Sequence, residues 1–139
     1  MVYVIKYLSR KAIMKKTLLL LGSLIGSSAA FSDDVAAISP QDAAAMYNDQ
    51  KAVIVDVREN EEWNAGHIAG AIHIPLGQIE TRKAELEKYK NSALIMQCRS
   101  GVRSATAANI LKKAGFSMVY NMEGGINAWQ KADLKIQQN

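Results

Sequence analysis

Cysteine occurs once in the 139 residues and histidine twice. A single cysteine excludes an intramolecular disulfide, so Cys98 is not there as a staple. His67, His73 and Cys98 lack the short ligand spacings of a zinc site, and no metal is expected. No Gly-rich dinucleotide or phosphate-loop pattern occurs, so no organic cofactor is expected either. The apolar run from Thr17 to Gly26 is ten residues long, well short of the roughly 20 that span a bilayer. Basic surplus is also missing where nucleic acid would need it. The formal net charge is +4, but Lys6, Arg10, Lys11, Lys15 and Lys16 all precede residue 31, where no acidic residue occurs. Without those five charges the remainder carries −1. No basic block with interleaved aromatics remains, which excludes nucleic acid as an expected partner.

The basic stretch ending at Lys15-Lys16, the apolar run and the small residues Ser27-Ser28-Ala29-Ala30 form the pattern of a secretory signal peptide over residues 1–30. Cleavage after Ala30 satisfies the small-x-small rule, and the expectation is no stable membrane anchor after cleavage. Met14 is an alternative start. The remaining 31–139 form one domain of roughly 109 residues, with one core. In an oxidising compartment a lone thiol is at risk, and its presence makes best sense if its chemistry is used.

Five short strand candidates lie around Ala36–Ile38, Ala52–Val57, Ile72–Ile74, Ala93–Gln97 and Met118–Asn121. Helical patterns separate most of them, which predicts an α/β fold: an open parallel five-stranded sheet with helices on both faces. Ser39-Pro40 reads as an N-cap with proline at the first helical position, opening a helix to about Tyr47. A short turn of helix is expected over Glu59–Asn64, and a surface helix over Gln78–Tyr89. A further helix from about Ser104 carries Ala107, Ala108, Leu111 and Ala114 at helical spacing and ends at Gly115. The tail Lys135–Asn139 is hydrophilic and is expected to fray.

Cys98 closes the apolar run Ala93-Leu94-Ile95-Met96-Gln97 and opens Cys98-Arg99-Ser100-Gly101-Val102-Arg103-Ser104. A free cysteine is commonly a small buried hydrophobe. Two arginines flanking a glycine in a short turn are poor company for an inert buried thiol. Backbone N–H groups between a strand end and a helix start have no ladder or helical partner and can converge on negative charge. Such a loop favours thiolate over thiol, as a nucleophile requires at neutral pH. In an open α/β sheet this is also where ligands bind. At another strand end, Asp56 and Arg58 can cap backbone and pair with each other, or Arg58 can touch substrate. His67 is read as a hydrogen-bonding structural residue rather than a base, and His73 likewise. Trp63 and Trp129 are expected to pack the core in preference to the pocket wall.

Three stretches in order carry a resemblance: Asp56-Val57-Arg58-Glu59 with Glu62-Trp63 and Gly66-His67-Ile68-Ala69-Gly70-Ala71; the loop Cys98 to Ser104; and Gly124-Gly125-Ile126-Asn127-Ala128-Trp129. Over roughly Ile38 to Lys131 the chain resembles the single-domain rhodaneses, which are thiosulfate sulfurtransferases, and with its leader the small periplasmic members of the phage-shock kind. The resemblance implies a persulfide on Cys98, formed from a small anionic sulfur donor such as thiosulfate and discharged to a thiophilic acceptor, cyanide or a thiol, including a protein thiol. It implies that the N–H groups of Arg99 through Ser104, with the Ser100 and Ser104 hydroxyls, surround the sulfur. Arg99 and Arg103 would attract the donor, while Gly101 supplies the turn and Val102 its N–H. Asp56 and His67 are implied as structural support. A periplasmic location follows from the leader. Related phosphatases and arsenate reductases use a loop one residue longer than the six from Cys98 to Arg103, and Gln97 stands where such a phosphatase usually has histidine. A sulfur-carrying or partner-binding module with little turnover would have the same sequence.

Overall fold

The computed structural model describes residues 34–139. The signal peptide expected over 1–30 and the alternative start at Met14 lie outside the described residues. Strands β1 (Ala36–Ile38), β2 (Ala52–Asp56), β3 (Ile72–His73), β4 (Ala93–Gln97) and β5 (Val119–Met122) form one sheet in the order β1-β5-β4-β2-β3. All four pairings are parallel, with Val55 opposite Met96 and Asp56 opposite Gln97 in the central pair. Helices α1 (Pro40–Asn48), α2 (Asn60–Ala65), α3 (Ile79–Arg82), α4 (Val102–Lys113) and α5 (Gly125–Lys131) connect or follow the strands. The five-stranded α/β architecture read from the sequence is the one observed.

The alternation of side chains along each strand divides the core in two. Val55, Leu94, Met96 and Val119 pack on one face with Ala107, Ala108 and Leu111 of α4. Ile54, Ala93, Ile95 and Met122 pack on the other with Ala43 and Ala44 of α1 and Trp129 of α5. Cys98 continues the parity of Leu94 and Met96, which carries its side chain to the α4 side of the sheet. Gln97 has the opposite parity and is fully buried, as is its neighbour Asp56.

Local chemistry accounts for the boundaries. Ser39 Oγ accepts the Asp42 N–H at 3.1 Å and Pro40 opens α1, as expected. The segment expected as one helix over Gln78–Tyr89 is instead a 3₁₀ turn (Leu76–Gln78), the single turn of α3, and a second 3₁₀ stretch over Lys83–Tyr89. Its buried residues are only Ile79 and Leu86, too little packing to hold regular α winding. Its charges pair three residues apart, as Lys83–Glu80, Arg82–Glu85 and Lys90–Glu87 do; positions i and i+3 eclipse in 3₁₀ winding.

The tail does not fray. The His67 N–H donates to the Gln137 carbonyl at 2.9 Å and the Gln137 N–H to the His67 carbonyl at 2.8 Å, an antiparallel bridge. Trp129 Nε1 donates to the Lys135 carbonyl at 3.0 Å, and Ile136 packs against the second core cluster. Leu134, just before the tail, and Ile136, within it, add apolar anchors to these bonds.

Candidate active site

Helix α4 begins at Val102, two residues earlier than the alanine pattern predicts, because Gly101 takes φ +106° and turns the chain into the helix at once. A Cβ at Gly101 would meet only ordinary contacts, at 3.5 Å and beyond, so backbone angle rather than space selects glycine there. The Ala105 N–H reaches back to the Gly101 carbonyl at 3.3 Å. The N–H groups of Val102, Arg103 and Ser104 are therefore first-turn donors without helical acceptors.

What turns these donors inward is the way the loop's carbonyls are held from outside. The Ile126 N–H donates to the Cys98 carbonyl at 2.8 Å and the Asn127 N–H to the Arg99 carbonyl at 3.2 Å. Gln97 Nε2 also donates to the Cys98 carbonyl, at 2.6 Å. Asn121 Nδ2 donates to the Gly101 carbonyl at 3.0 Å. Gly125 permits this docking. A Cβ there would lie 2.6 Å from the Arg99 carbonyl oxygen and closer still to that of Cys98.

Inside the turn, Cys98 Sγ accepts the Gly101 N–H at 3.1 Å and lies 3.3 Å from Ser104 Oγ. The residue is only 1% exposed. Burial pushes the thiol up, but the Ser104 hydroxyl and the N–H groups of Ser104, Gly101 and Ser100 outweigh it and hold Cys98 below the ordinary thiol range. The arrangement can stabilise a thiolate, or a negative charge one atom further out.

The other expected residues divide into two groups. Arg99 and Ser100 are exposed beside Cys98, and Val102 is 74% exposed at the rim. Arg99 lines a cleft of about 320 Å³ together with Asn127, Gln130, Ile136 and Gln138. Arg103, expected to attract substrate, instead makes a two-pronged pair with Glu62 of α2, at 2.7 and 2.8 Å. The Arg103 guanidinium holds the Glu62 carboxyl down at about 2. Arg103's field still reaches Cys98, so it contributes charge while two of its donors are engaged by Glu62.

Of the two roles open to Arg58, the pair with Asp56 is formed, and the residue also lines the cleft. Its guanidinium is buried and donates to Asp56 Oδ1 at 3.0 Å, Asp56 Oδ2 at 2.7 Å, and the carbonyls of Gly66 and Glu62 at 2.8 and 3.2 Å. These bonds make it the brace of the cleft wall, tying β2 to α2. Asp56 also accepts the Arg58 N–H at 2.9 Å.

His67 Nδ1 lies 3.0 Å from the Trp63 carbonyl, which only accepts, so Nδ1 carries the proton and Nε2 accepts from the Gln137 amide at 3.0 Å. His73 Nε2 donates to the Arg58 carbonyl at 2.8 Å. Trp63 does not enter the core as Trp129 does. It is half-buried and stacks with His67 and His73, at centroid distances of 3.6 and 4.6 Å.

Sequence reasoning missed Asn121, Asn127, Gln130, Ile136 and Gln138. For Asn121 a signal was there: a carboxamide near the end of a strand, three residues before the first of two glycines. The others reach the cleft through helix α5 and the docked tail; Asn127 lies in the Gly124 to Trp129 stretch, and no local pattern marks Gln130, Ile136 or Gln138.

The comparisons with known proteins agree with this geometry. The family profile described as Rhodanese-like domain matches residues 39–132. YibN of Escherichia coli (strain K12) is 32% identical over 119 residues, 85% of this chain and 83% of YibN. YrkF of Bacillus subtilis (strain 168), named a candidate sulfur carrier protein, is 44% identical over 82 residues, 59% of this chain. The chain spans only 43% of YrkF's length. The crystal structure of a rhodanese-like domain protein from Staphylococcus aureus superposes with a TM-score of 0.66 at 30% identity, covering 76% of this chain and 99% of that one.

Proposed function

The chain belongs to the rhodanese-like domain family, and on that premise we propose that it is a sulfurtransferase working through a persulfide on Cys98. The observation that carries the reading is the inward set of N–H groups around a buried, singly available thiol. In the first step the Cys98 thiolate attacks the outer sulfur of thiosulfate. The new Sγ–S bond forms as the S–S bond of the donor breaks, and sulfite leaves with the bonding pair. In the second step a nucleophile, cyanide or a thiolate, takes the terminal sulfur and returns the Cys98 thiolate. The negative terminal sulfur sits among the first-turn N–H groups of α4, whose partial charge offsets it without reorganisation. Arg99, exposed beside the cleft, draws in the anionic donor, and Arg103 adds its field.

Ser100 and Val102 contribute backbone donors, while Asp56, Arg58 and His67 hold the wall. The protein acts in the periplasm after cleavage at Ala30, with a protein thiol as a further acceptor class. Neither a metal nor an organic cofactor takes part in these steps. A second reading is a persulfide-carrying module with little turnover, favoured by the name of YrkF.

Intact mass before and after thiosulfate, with Cys98→Ser alongside, tests the proposal. The expected result is a gain of about 32 mass units on the mature protein, reversed by cyanide with thiocyanate released and absent in the variant. A free thiol that gains nothing would overturn persulfide chemistry. Loading without multiple turnovers would select the carrier reading.

A further inference from the structure

Ser104 Oγ has two neighbours and one proton. It lies 3.3 Å from Cys98 Sγ and 2.6 Å from Asn121 Oδ1. The Asn121 amide cannot reverse at no cost, because its Nδ2 donates to the Gly101 carbonyl at 3.0 Å, and a flip would set two acceptors against each other. Its Oδ1 therefore faces Ser104, and an amide oxygen only accepts. A 2.6 Å contact of this kind requires the serine hydroxyl to donate to Asn121. Ser104 then presents lone pairs to sulfur. That suits a Cys98 thiol, which donates its own proton to Ser104, and does not suit a thiolate.

We propose that Asn121 is a positioning residue that controls Cys98 through Ser104, holding the one hydroxyl proton until the thiolate forms and Ser104 turns that proton onto sulfur. The proposal rests on Cys98 being the nucleophile. It goes further by assigning the loop a two-state hydrogen-bond relay. In the resting state the chain runs from Cys98 S–H to Ser104 O–H to Asn121. In the reactive state Ser104 donates to the thiolate, and the Asn121 oxygen loses its donor at close range. The cost of orphaning that oxygen sets against the gain at sulfur. Asn121 thus does two opposed things: its nitrogen anchors the loop at Gly101, and its oxygen restrains ionisation.

The fold makes this geometry unavoidable. Asn121 has the parity of Val119 on β5 and so emerges on the same side of the sheet as Cys98 and α4. The charged groups near the nucleophile are Arg99 and Arg103 from the loop and α4. From the neighbouring strand end and α2 come Asp56, Arg58 and Glu62, each committed to the pairs described. Strand β5 brings only Tyr120, of opposite parity, and the first turn of α5 brings no charge. None of these groups is altered by the test.

The test is the pH dependence of Cys98 alkylation by iodoacetamide, read as a midpoint, for Ser104→Ala in three backgrounds. In the otherwise unchanged protein the substitution should raise the midpoint by roughly half a unit. In Asn121→Ala, where Ser104 is free to serve sulfur, the rise should reach about one unit, and Asn121→Ala by itself should lower the midpoint. In Asn121→Asp, which takes the Ser104 proton outright but gives up the bond to the Gly101 carbonyl and adds a negative charge, the midpoint rises from that charge alone, and Ser104→Ala in this background should add no further rise. Equal rises in all backgrounds would overturn the relay, since a merely structural asparagine predicts additivity. Should Asn121→Ala not fold, the comparison with Asn121→Asp decides alone. Alkylation does not need sulfur transfer. Failure of the relay leaves persulfide loading intact, whereas failure of sulfur transfer leaves the alkylation midpoints readable.

Discussion

Replacing Gly125 by alanine should disable the site from outside it. Gly125 has φ +58°, and the added Cβ would press on the Cys98 and Arg99 carbonyls, lying 2.6 Å from the Arg99 oxygen and closer still to that of Cys98. A left-handed alanine costs roughly 1–2 kcal/mol. Relief of the clash requires α5 to withdraw, and the two bonds from Ile126 and Asn127 to the loop are each worth about 1 kcal/mol. The expected loss is about 3–4 kcal/mol, a large share of a stability of roughly 5–15 kcal/mol. The functional loss should exceed the structural one, because those two bonds are what turn the loop's N–H groups toward sulfur. Loss of one such donor lowers rates about 100-fold or more in comparable anion holes. Urea denaturation followed by tryptophan fluorescence reads the first effect, and the rate of mass gain with thiosulfate reads the second. Gly77→Ala is the control. A Cβ at Gly77 meets nothing within 4 Å, so its stability should change by no more than about 0.5 kcal/mol. A Gly125→Ala protein as stable as that control, loading sulfur within about threefold of the parent, would refute the reasoning.

Glu62→Gln should lower stability at pH 7 by about 1–2 kcal/mol, less than the full shift implies because the pair is partly exposed. The Glu62 carboxyl is depressed from 4.5 to about 2 in the folded protein, so its contribution is complete above pH 4.5 and disappears as pH falls toward 2. Urea midpoints of the two proteins should therefore converge over that range, and a constant gap would count against the Arg103 pair. Arg99→Ala should raise KM for thiosulfate about 3–10-fold with little effect on stability, and the salt dependence of KM should flatten. Arg58→Met should do the reverse, costing about 3–5 kcal/mol in stability by leaving Asp56 buried without its partner. Denaturation and steady-state kinetics on the same two variants distinguish these outcomes. Removal of Ile136 to Asn139 should loosen His67 and open the cleft, read as faster hydrogen exchange at the His67 amide with the sheet amides unchanged.

The strands were legible because they are buried on both faces. Runs such as Ala93-Leu94-Ile95-Met96 have no other use in a chain this short, and the alternation with helical patterns leaves a parallel sheet as the economical solution. Cys98 was legible for a related reason: a thiol at the end of a buried strand, on a turn rich in arginine and glycine, violates what an inert core cysteine needs. Gln78–Tyr89 was misread because charge periodicity alone cannot tell α from 3₁₀ winding when little apolar surface is buried. The tail was misread because Leu134 and Ile136 are separated by lysine, and the groups that receive the tail, Trp129 at Lys135 and His67 at Gln137, are reached only once the sheet has formed.

The sequence by itself determined the five parallel strands and singled out Cys98 as the candidate nucleophile, since these depend on burial and on chemistry carried within a few consecutive residues. Tertiary structure decided which arginine faces the cleft and which is spent on a carboxylate: Arg99 and Arg103 are alike in sequence, and only the approach of Glu62 from α2 separates them. It also decided where the Ser104 proton goes, because Asn121 and Cys98 stand 23 residues apart in the chain and meet only through the register of β4 with β5. Hydrogen-bond competition is a property of three-dimensional distance, and no pattern along one strand contains it.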